Sequence, residues 1–158
     1  MKFLNNMKNG IVSLLMLFVM VFVASSCSDD EAPEPALEVI PVNLHGVWKL
    51  QELNGQELPE NLYVYINLNR KGTFELYQNH DSMDARCITG TFSIEQDDDL
   101  GAIISGKYDF GTGLWNNQYI VTDLLASGSM IWTVKDGDEV SKYVRVDKVP
   151  DEIVNAAK

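Results

Sequence analysis

Turn signals divide the chain between positions 42 and 149 into short segments that recur about every ten residues. No segment in this range keeps the apolar period of a helix for three turns. Residues 46–53, for example, end at Asn54-Gly55, a pair that strongly favours the two-residue turn of a β-hairpin. This spacing predicts antiparallel strands joined by hairpins and excludes a helical fold.

Eight strands are predicted in this range, over residues 46–53, 63–68, 73–77, 86–95, 103–110, 117–125, 130–134 and 140–146. Eight antiparallel strands in meander order can close into a barrel that leaves no exposed strand edge. We therefore predict an all-β fold, an eight-stranded antiparallel up-and-down barrel with a short C-terminal helix over 150–157. A two-sheet sandwich is the alternative, because the number of strands does not establish closure.

The N-terminal segment has the pattern of a targeting signal. Two lysines precede fourteen residues, 11–24, that are apolar except for Ser13. A membrane-spanning helix needs about 20 apolar residues, whereas this length suits the core of a signal peptide. Small residues at 24–26 then lead into Cys27. The segment resembles the signal peptide of bacterial lipoproteins, which is cut before a lipidated cysteine. The resemblance implies a lipoprotein signal peptide over 1–26 and acyl chains such as palmitate on Cys27.

An uncleaved membrane anchor or a simple secretory signal is the alternative for this segment. Residues 27–41 contain five acids and three prolines, so we expect a solvated tether there and a barrel domain over 42–158. The acidic run directly after Cys27 resembles the export signal of Bacteroidota-type lipoproteins. It implies an anchor in the outer membrane at the cell surface, with the periplasmic face of that membrane as the alternative.

The charge of the chain excludes one class of partner. Twelve basic residues stand against 23 acidic ones, a net charge of -11. Nucleic acids need a basic surface to neutralise phosphates, so we predict no nucleic-acid partner. Attraction to anionic lipids is disfavoured in the same way, and membrane contact is expected through the N-terminal lipid.

Three short motifs carry a resemblance to a known family. Gly46 and Trp48 form a G-x-W motif at the start of the first strand, Thr122 and Asp123 fall near the end of the sixth, and Arg145 falls near the end of the eighth. In this order and spacing the chain resembles the short lipocalin-like domain of Bacteroidota lipoproteins. The resemblance implies that Trp48 closes one end of the barrel and that Arg145 lies over it in a cation–π contact.

The resemblance implies a binding protein that holds a small apolar or amphipathic ligand at the open end of the barrel. The alternative is a filled barrel that acts as an interaction or accessory protein of a cell-surface complex and contacts an envelope protein. Six aromatic residues are candidates for contact with a ligand: Tyr63, Tyr65, Tyr77, Tyr108, Trp115 and Tyr119. The alternative role for these rings is cross-strand pairing that stabilises the sheet. Trp132 is predicted to belong to the core.

No motif indicates catalysis. The two histidines, His45 and His80, fall in or beside predicted loops, and no zinc, phosphate-loop or nucleophile-elbow pattern is present. Cys87 lies within a predicted strand, where we expect a buried thiol that acts as a small hydrophobe. The acidic runs at 97–99 and 136–139 fit the residue preferences of hairpin turns better than a calcium loop. We therefore predict no enzymatic activity, no metal and no cofactor.

Overall fold

The computed structural model describes residues 33–80, 86–111 and 113–157. Nine strands and two short helices lie in these ranges. The strands are β1 (Gly46–Leu53), β2 (Gln56–Glu57), β3 (Val64–Leu68), β4 (Thr73–Gln78), β5 (Arg86–Asp97), β6 (Gly101–Tyr108), β7 (Tyr119–Thr122), β8 (Ser129–Val134) and β9 (Val140–Val146). The helices are α1 (Pro41–Leu44) and α2 (Asp151–Ala156).

Pairing of β1 with β9 closes the sheet. Strand β1 is antiparallel to β3 on one side and to β9 on the other. Each strand from β3 to β8 pairs with the strand that follows it in the chain. Eight strands therefore form a closed up-and-down barrel, as predicted, and the two-sheet sandwich is excluded. The ninth strand, β2, is a two-residue extension that pairs only with the end of β1.

The turn that follows β1 has the geometry that its sequence predicts. Asn54 and Gly55 both have positive φ, 53° and 74°, as a two-residue hairpin turn requires. The Asn54 side chain also accepts a hydrogen bond from the Val140 N–H at 2.8 Å, and the Asn54 N–H donates to the Val140 carbonyl at 2.7 Å. The turn is thereby bonded to the start of β9, on the other side of the closing seam.

Two hydrophobic clusters lie on opposite sides of the sheet. The larger one lies in the barrel interior, where Trp48, Leu68 and Met130 are fully buried. The smaller one lies on the outer surface, where α2 covers part of the sheet and Val149 and Ile153 contact it. The predicted C-terminal helix is therefore present, and it buries an outer face of the barrel.

Residues 34–40 pack on the barrel, although their composition suggested a tether. The Leu37 N–H donates to the Leu124 carbonyl at 2.7 Å, and Leu37 and Val39 contact the interior core. Glu34 accepts a hydrogen bond from the Ser127 N–H at 2.8 Å. Hydrogen bonds from the Ser127 side chain and backbone lower the pKa of the Glu34 carboxyl. The predicted signal peptide and Cys27 lie outside the described residues.

Cys87 is exposed, so the expectation of a buried thiol is wrong. In β5, Gly90 and Phe92 are buried, and the strand alternation places residue 87 on the outer face. Its Cα partner in β4 is Tyr77, whose side chain belongs to the outer cluster. Within the ranges that the structure describes, neither helix is long and apolar enough to cross a bilayer.

Candidate functional site

A cavity of about 390 Å³ occupies the part of the barrel away from Trp48. Trp48 lies near the start of β1, whereas the cavity is lined by residues further along that strand, Leu50 and Leu53. The other lining residues are Val64, Ile66, Leu76, Gln78, His80, Ile88, Tyr108, Trp115, Asn116, Asn117, Tyr119, Trp132, Glu139, Ser141 and Tyr143. The volume falls within the range of roughly 300–1,000 Å³ that is usual for small-molecule sites.

One side of the cavity is aliphatic. Inward-facing residues of β1, β3, β4 and β5 form it: Leu50, Leu53, Val64, Ile66, Leu76 and Ile88. In β3 these positions alternate with residues that face outward, as the sequence pattern predicts, whereas in β1 a register shift between Leu50 and Glu52 brings Leu53 to the same side as Leu50. This side can bury the apolar part of a ligand but has no side chain that would orient it.

The opposite side is a continuous group of aromatic rings. Trp132, in β8, lies at its centre, with ring centroids 5.9 Å from Trp115, 5.4 Å from Tyr119 and 5.0 Å from Tyr143. These separations lie within the range of about 4.5–7 Å that is usual for interacting aromatic pairs. We call these four residues the aromatic wall. Together with the aliphatic side, it forms the apolar part of the cavity lining.

Trp115 enters the aromatic wall from a loop, because β6 carries a glycine beneath it. A Cβ at Gly106 would overlap the Trp115 indole. The backbone N–H of Trp115 donates to the Gly106 carbonyl at 2.9 Å. The Trp115 indole packs edge-on against the Phe74 ring, with 5.2 Å between ring centroids. The missing side chain at 106 is therefore what allows the loop to fold back over the barrel.

The aromatic wall contains one polar group without a partner. The indole N–H of Trp132 is buried and has no acceptor among the residues that the structure describes. Such a buried donor costs about 1–3 kcal/mol when no hydrogen bond is made. Burial also raises the pKa of the neighbouring Tyr143 phenol, which keeps that group neutral. A ligand atom that accepts a hydrogen bond from Trp132 would recover the cost.

Polar side chains gather toward the cavity mouth, where Gln78, His80, Asn116, Asn117 and Glu139 line it. They come from the end of β4 and from the connections that follow β4, β6 and β8. Polar groups beside apolar walls can orient a small ligand in a pocket. No group of three or more His, Cys, Asp or Glu side chains in the described ranges is placed to hold a metal ion.

The closed end brings two of the predicted motif residues into contact. The guanidinium carbon of Arg145 lies 4.3 Å from the centre of the Trp48 ring. Its nitrogens donate to the carbonyls of His45 and of Asn43, the latter at 2.9 Å, and burial lowers the pKa of the guanidinium. The Trp48 indole N–H donates to the Leu44 carbonyl at 2.8 Å. Arg145 and Trp48 thus bind the α1 segment across the end of the barrel.

The other motif residues shape the backbone at this end. Gly46 has a φ of +133°, and a Cβ there would collide with the Arg145 guanidinium. Thr122 is the last residue of β7, and Asp123, with a φ of 49°, turns the chain so that Leu124 is fully buried. None of these motif residues lines the cavity.

The six candidate aromatic residues divide into two groups. Tyr108, Trp115 and Tyr119 line the cavity, as the ligand hypothesis expected. The other three, Tyr63, Tyr65 and Tyr77, lie on the outer face and line no part of it. Tyr65 and Tyr77 are Cα partners in β3 and β4, and both rings are covered by α2 and the residues around it. Cross-strand pairing therefore describes Tyr65 and Tyr77, and the Tyr63 ring contacts Tyr65 at 6.2 Å between centroids.

The family model of the lipocalin-like domain matches residues 44–132, which is more than half of the chain. The chain belongs to the lipocalin-like domain family. No curated protein and no solved structure matches it. The matched range of this lipocalin-like domain includes both Trp48 at the closed end and Trp132 in the aromatic wall. Proteins with this domain are generally binding proteins without enzymatic activity, and the cavity fits a ligand-binding role.

Several residues of this lipocalin-like cavity were not singled out by their sequence pattern. Tyr143 and Ser141 line the cavity because they alternate inward along β9, a signal that is present in the sequence. His80 and Glu139 were interpreted only as loop and turn residues, and their position at the cavity mouth depends on closure of the barrel. Trp132 was correctly placed in the core, but its unpaired N–H has no sequence signature.

Proposed function

We propose that this protein is a lipid-anchored envelope protein whose lipocalin-like barrel holds a small apolar or amphipathic ligand. The observation that carries the proposal is the unfilled cavity of about 390 Å³ with apolar walls and a polar mouth. A barrel filled by its own side chains, the arrangement expected of a purely structural domain, would leave no such space. The volume lies in the lower part of the usual range, which favours a compact ligand.

The distance along the chain from Cys27 to the barrel supports a defined orientation. Glu34 follows Cys27 by seven residues and is bonded to Ser127, in the β7–β8 connection at the closed end. Seven residues span at most about 25 Å when fully extended. A lipid on Cys27 would therefore tether the domain through the closed end of the barrel.

The anchor is proposed to lie in the outer membrane with the domain at the cell surface, or else on the periplasmic face. The resemblance of residues 1–27 to a lipoprotein signal and the acidic run after Cys27 support this location. More than one acyl chain would be required, because a single chain gives only marginal membrane binding. Replacement Cys27→Ala should release the protein from the membrane fraction, whereas Cys87→Ala should leave it bound. Retention of the Cys27→Ala protein in membranes would contradict the proposal.

Ligand binding can be tested by narrowing the cavity. Ile88 lines it, while its chain neighbour Cys87 is exposed on the outer face of the same strand. Native mass spectrometry of the extracted protein should show a retained ligand or a bound alkyl probe such as decanol. We expect Ile88→Trp to abolish that adduct and Cys87→Trp to retain it. An adduct that survives in Ile88→Trp, or the absence of any adduct in the unmodified protein, would argue against a ligand in this cavity.

A second candidate function is that of an interaction protein of a cell-surface complex. The loop between β6 and β7 carries two large exposed apolar side chains, Phe110 at 61% and Leu114 at 72% exposure. Exposed apolar groups of this size near a binding cavity are typical of contact surfaces. Crosslinking in intact cells should capture an envelope protein, and the double replacement Phe110→Ser and Leu114→Ser should reduce its yield. An unchanged yield in the double variant would exclude this loop as the contact.

A further inference from the structure

Among the described residues, the lining of the cavity contains one charged side chain, and it is acidic. Among the described residues that line it, Glu139 is the acidic one, and none is a lysine or an arginine. The remaining polar lining groups are amides, hydroxyls and one histidine, His80. In the described part of the lining, the carboxylate of Glu139 therefore has no guanidinium or ammonium group to balance it.

Glu139 is held at the mouth by the backbone. It directly precedes β9, and its carbonyl accepts a hydrogen bond from the Val134 N–H at 2.9 Å, which closes the β8–β9 turn. Its charge reaches the aromatic wall. Burial is the main cause of the raised pKa of Tyr143, and the charges of Tyr119 and Glu139 add to it. The carboxylate thus acts on the cavity interior as well as on solvent.

Two lysines at this end of the barrel have partners outside the cavity. Lys142 forms an ion pair with Glu52 at 2.7 Å, and Lys135 lies 3.4 Å from the side-chain oxygen of Gln118. Arg86, at the start of β5, is exposed and makes an interaction of its own. None of these three side chains lines the cavity.

We propose that the cavity selects cationic amphiphiles, compact apolar molecules that carry an amine or a quaternary ammonium group. This rests on the proposed function and narrows the ligand class of the same cavity. The apolar body would pack against the aliphatic side. The positive group would lie near Glu139 and the rings of the aromatic wall, since both a carboxylate and aromatic faces attract cations.

An anionic amphiphile fits this cavity less well. Its carboxylate would approach Glu139 with no lysine or arginine in the lining to neutralise it. Like charges that meet in a partly desolvated site repel each other more strongly than in bulk water. A neutral amphiphile would use the same apolar walls without gaining or losing from the charge of Glu139.

Cationic, neutral and anionic amphiphiles can be compared with three probes that share a ten-carbon alkyl chain. Decyltrimethylammonium, decanol and decanoate are titrated into the mature protein by calorimetry at low ionic strength. We expect the cation to bind about ten-fold more tightly than decanoate, because a charge at a partly exposed site strengthens binding of the cation about three-fold and weakens binding of the anion by a similar factor. Raising the salt concentration should reduce this preference.

Substitution of Glu139 tests whether its carboxylate causes the preference for the cation. Glu139→Gln should bring the ratio of cation affinity to anion affinity close to one. Asp138→Asn, which removes an equal charge from the neighbouring exposed residue, should keep most of the preference. Decanoate binding as tightly as the cation, or a preference that persists in Glu139→Gln, would overturn the charge selectivity. If decanol still bound in that case, the proposed function would stand; if none of the three probes bound, both proposals would be overturned.

Discussion

The Trp115 indole lies across the backbone of Gly106, and the backbone N–H of Trp115 donates to the Gly106 carbonyl at 2.9 Å. Through this contact a loop residue reaches both Phe74, at 5.2 Å, and Trp132, at 5.9 Å between ring centroids. The cavity is therefore completed by a side chain that lies outside every strand. Its position depends on the absence of a Cβ in β6.

The first prediction concerns this glycine. Gly106→Ala should displace Trp115 and cost about 1–3 kcal/mol in the free energy of unfolding, the usual penalty for overpacking. The affinity for an alkyl probe such as decanol should fall as well, because the aromatic wall loses one of its rings. Unfolding followed by near-ultraviolet circular dichroism measures the loss of stability, and titration with the probe measures the loss of affinity. Gly137→Ala is the control, since a Cβ there meets only the Val134 side chain, at 3.1 Å. Equal behaviour of the two variants would contradict the role of Gly106.

The second prediction concerns the closed end of the barrel. Trp48 is fully buried and bonded to the Leu44 carbonyl. Trp48→Ala should lower the free energy of unfolding by about 3–5 kcal/mol, because a large cavity is left in the core. Trp48→Phe keeps a ring in place and should cost less than the alanine variant. Urea unfolding measures both, and an unchanged midpoint in Trp48→Ala would show that the ring does not close the barrel.

The third prediction separates the charge of Arg145 from its hydrogen bonds. Arg145→Met removes the cation over Trp48 and the bonds to the Asn43 and His45 carbonyls, and should cost about 1–3 kcal/mol. Arg145→Lys keeps a positive charge but loses the planar guanidinium group that donates to two carbonyls. Its stability should therefore lie between that of the unmodified protein and that of Arg145→Met. The control is Arg70→Met, at an exposed turn, which should change stability by less than about 0.5 kcal/mol. A lysine variant as unstable as the methionine variant would indicate that the charge contributes nothing.

The fourth prediction is a loss of stability at alkaline pH. Burial, followed by the neighbouring Cys87 and Glu75, raises the pKa of Tyr77 to about 12. Burial also raises the pKa of Tyr65 and of Tyr143. A tyrosine in the unfolded chain titrates near pH 10. The folded state holds these phenols neutral to higher pH, so their contribution is complete below about pH 10 and is lost as the pH rises through about 12.

Thermal unfolding across this pH window, with tyrosinate absorbance recorded in parallel, tests the fourth prediction. The melting temperature should fall between about pH 10 and 12. Tyr77→Phe should make that fall shallower, because one of the titrating groups is removed. If the Tyr77→Phe protein lost stability as steeply as the unmodified protein, the titration of Tyr77 would not be linked to folding.

Local sequence signals predicted most of the barrel. Strands β1 and β9 begin and end at the predicted residues. The Asn54-Gly55 turn marks the end of β1, and the turn at 136–137 precedes the start of β9. Strand β7 is shorter than predicted and ends at Thr122, because Asp123 adopts a left-handed conformation that strand propensity does not reveal. The exposure of Cys87 was mispredicted because membership of a strand was taken as burial without regard to which face the residue occupies.

The sequence by itself determined the order of the strands, their antiparallel pairing with their neighbours and which residues face inward, since hairpin turns and alternation act over a few residues. Only the tertiary structure decided that β1 meets β9 and that the barrel leaves a cavity unfilled. It also decided that Arg145 lies over Trp48 and that α2 covers the outer tyrosines. These contacts join residues far apart in the chain, and their geometry follows from closure and packing of the whole sheet.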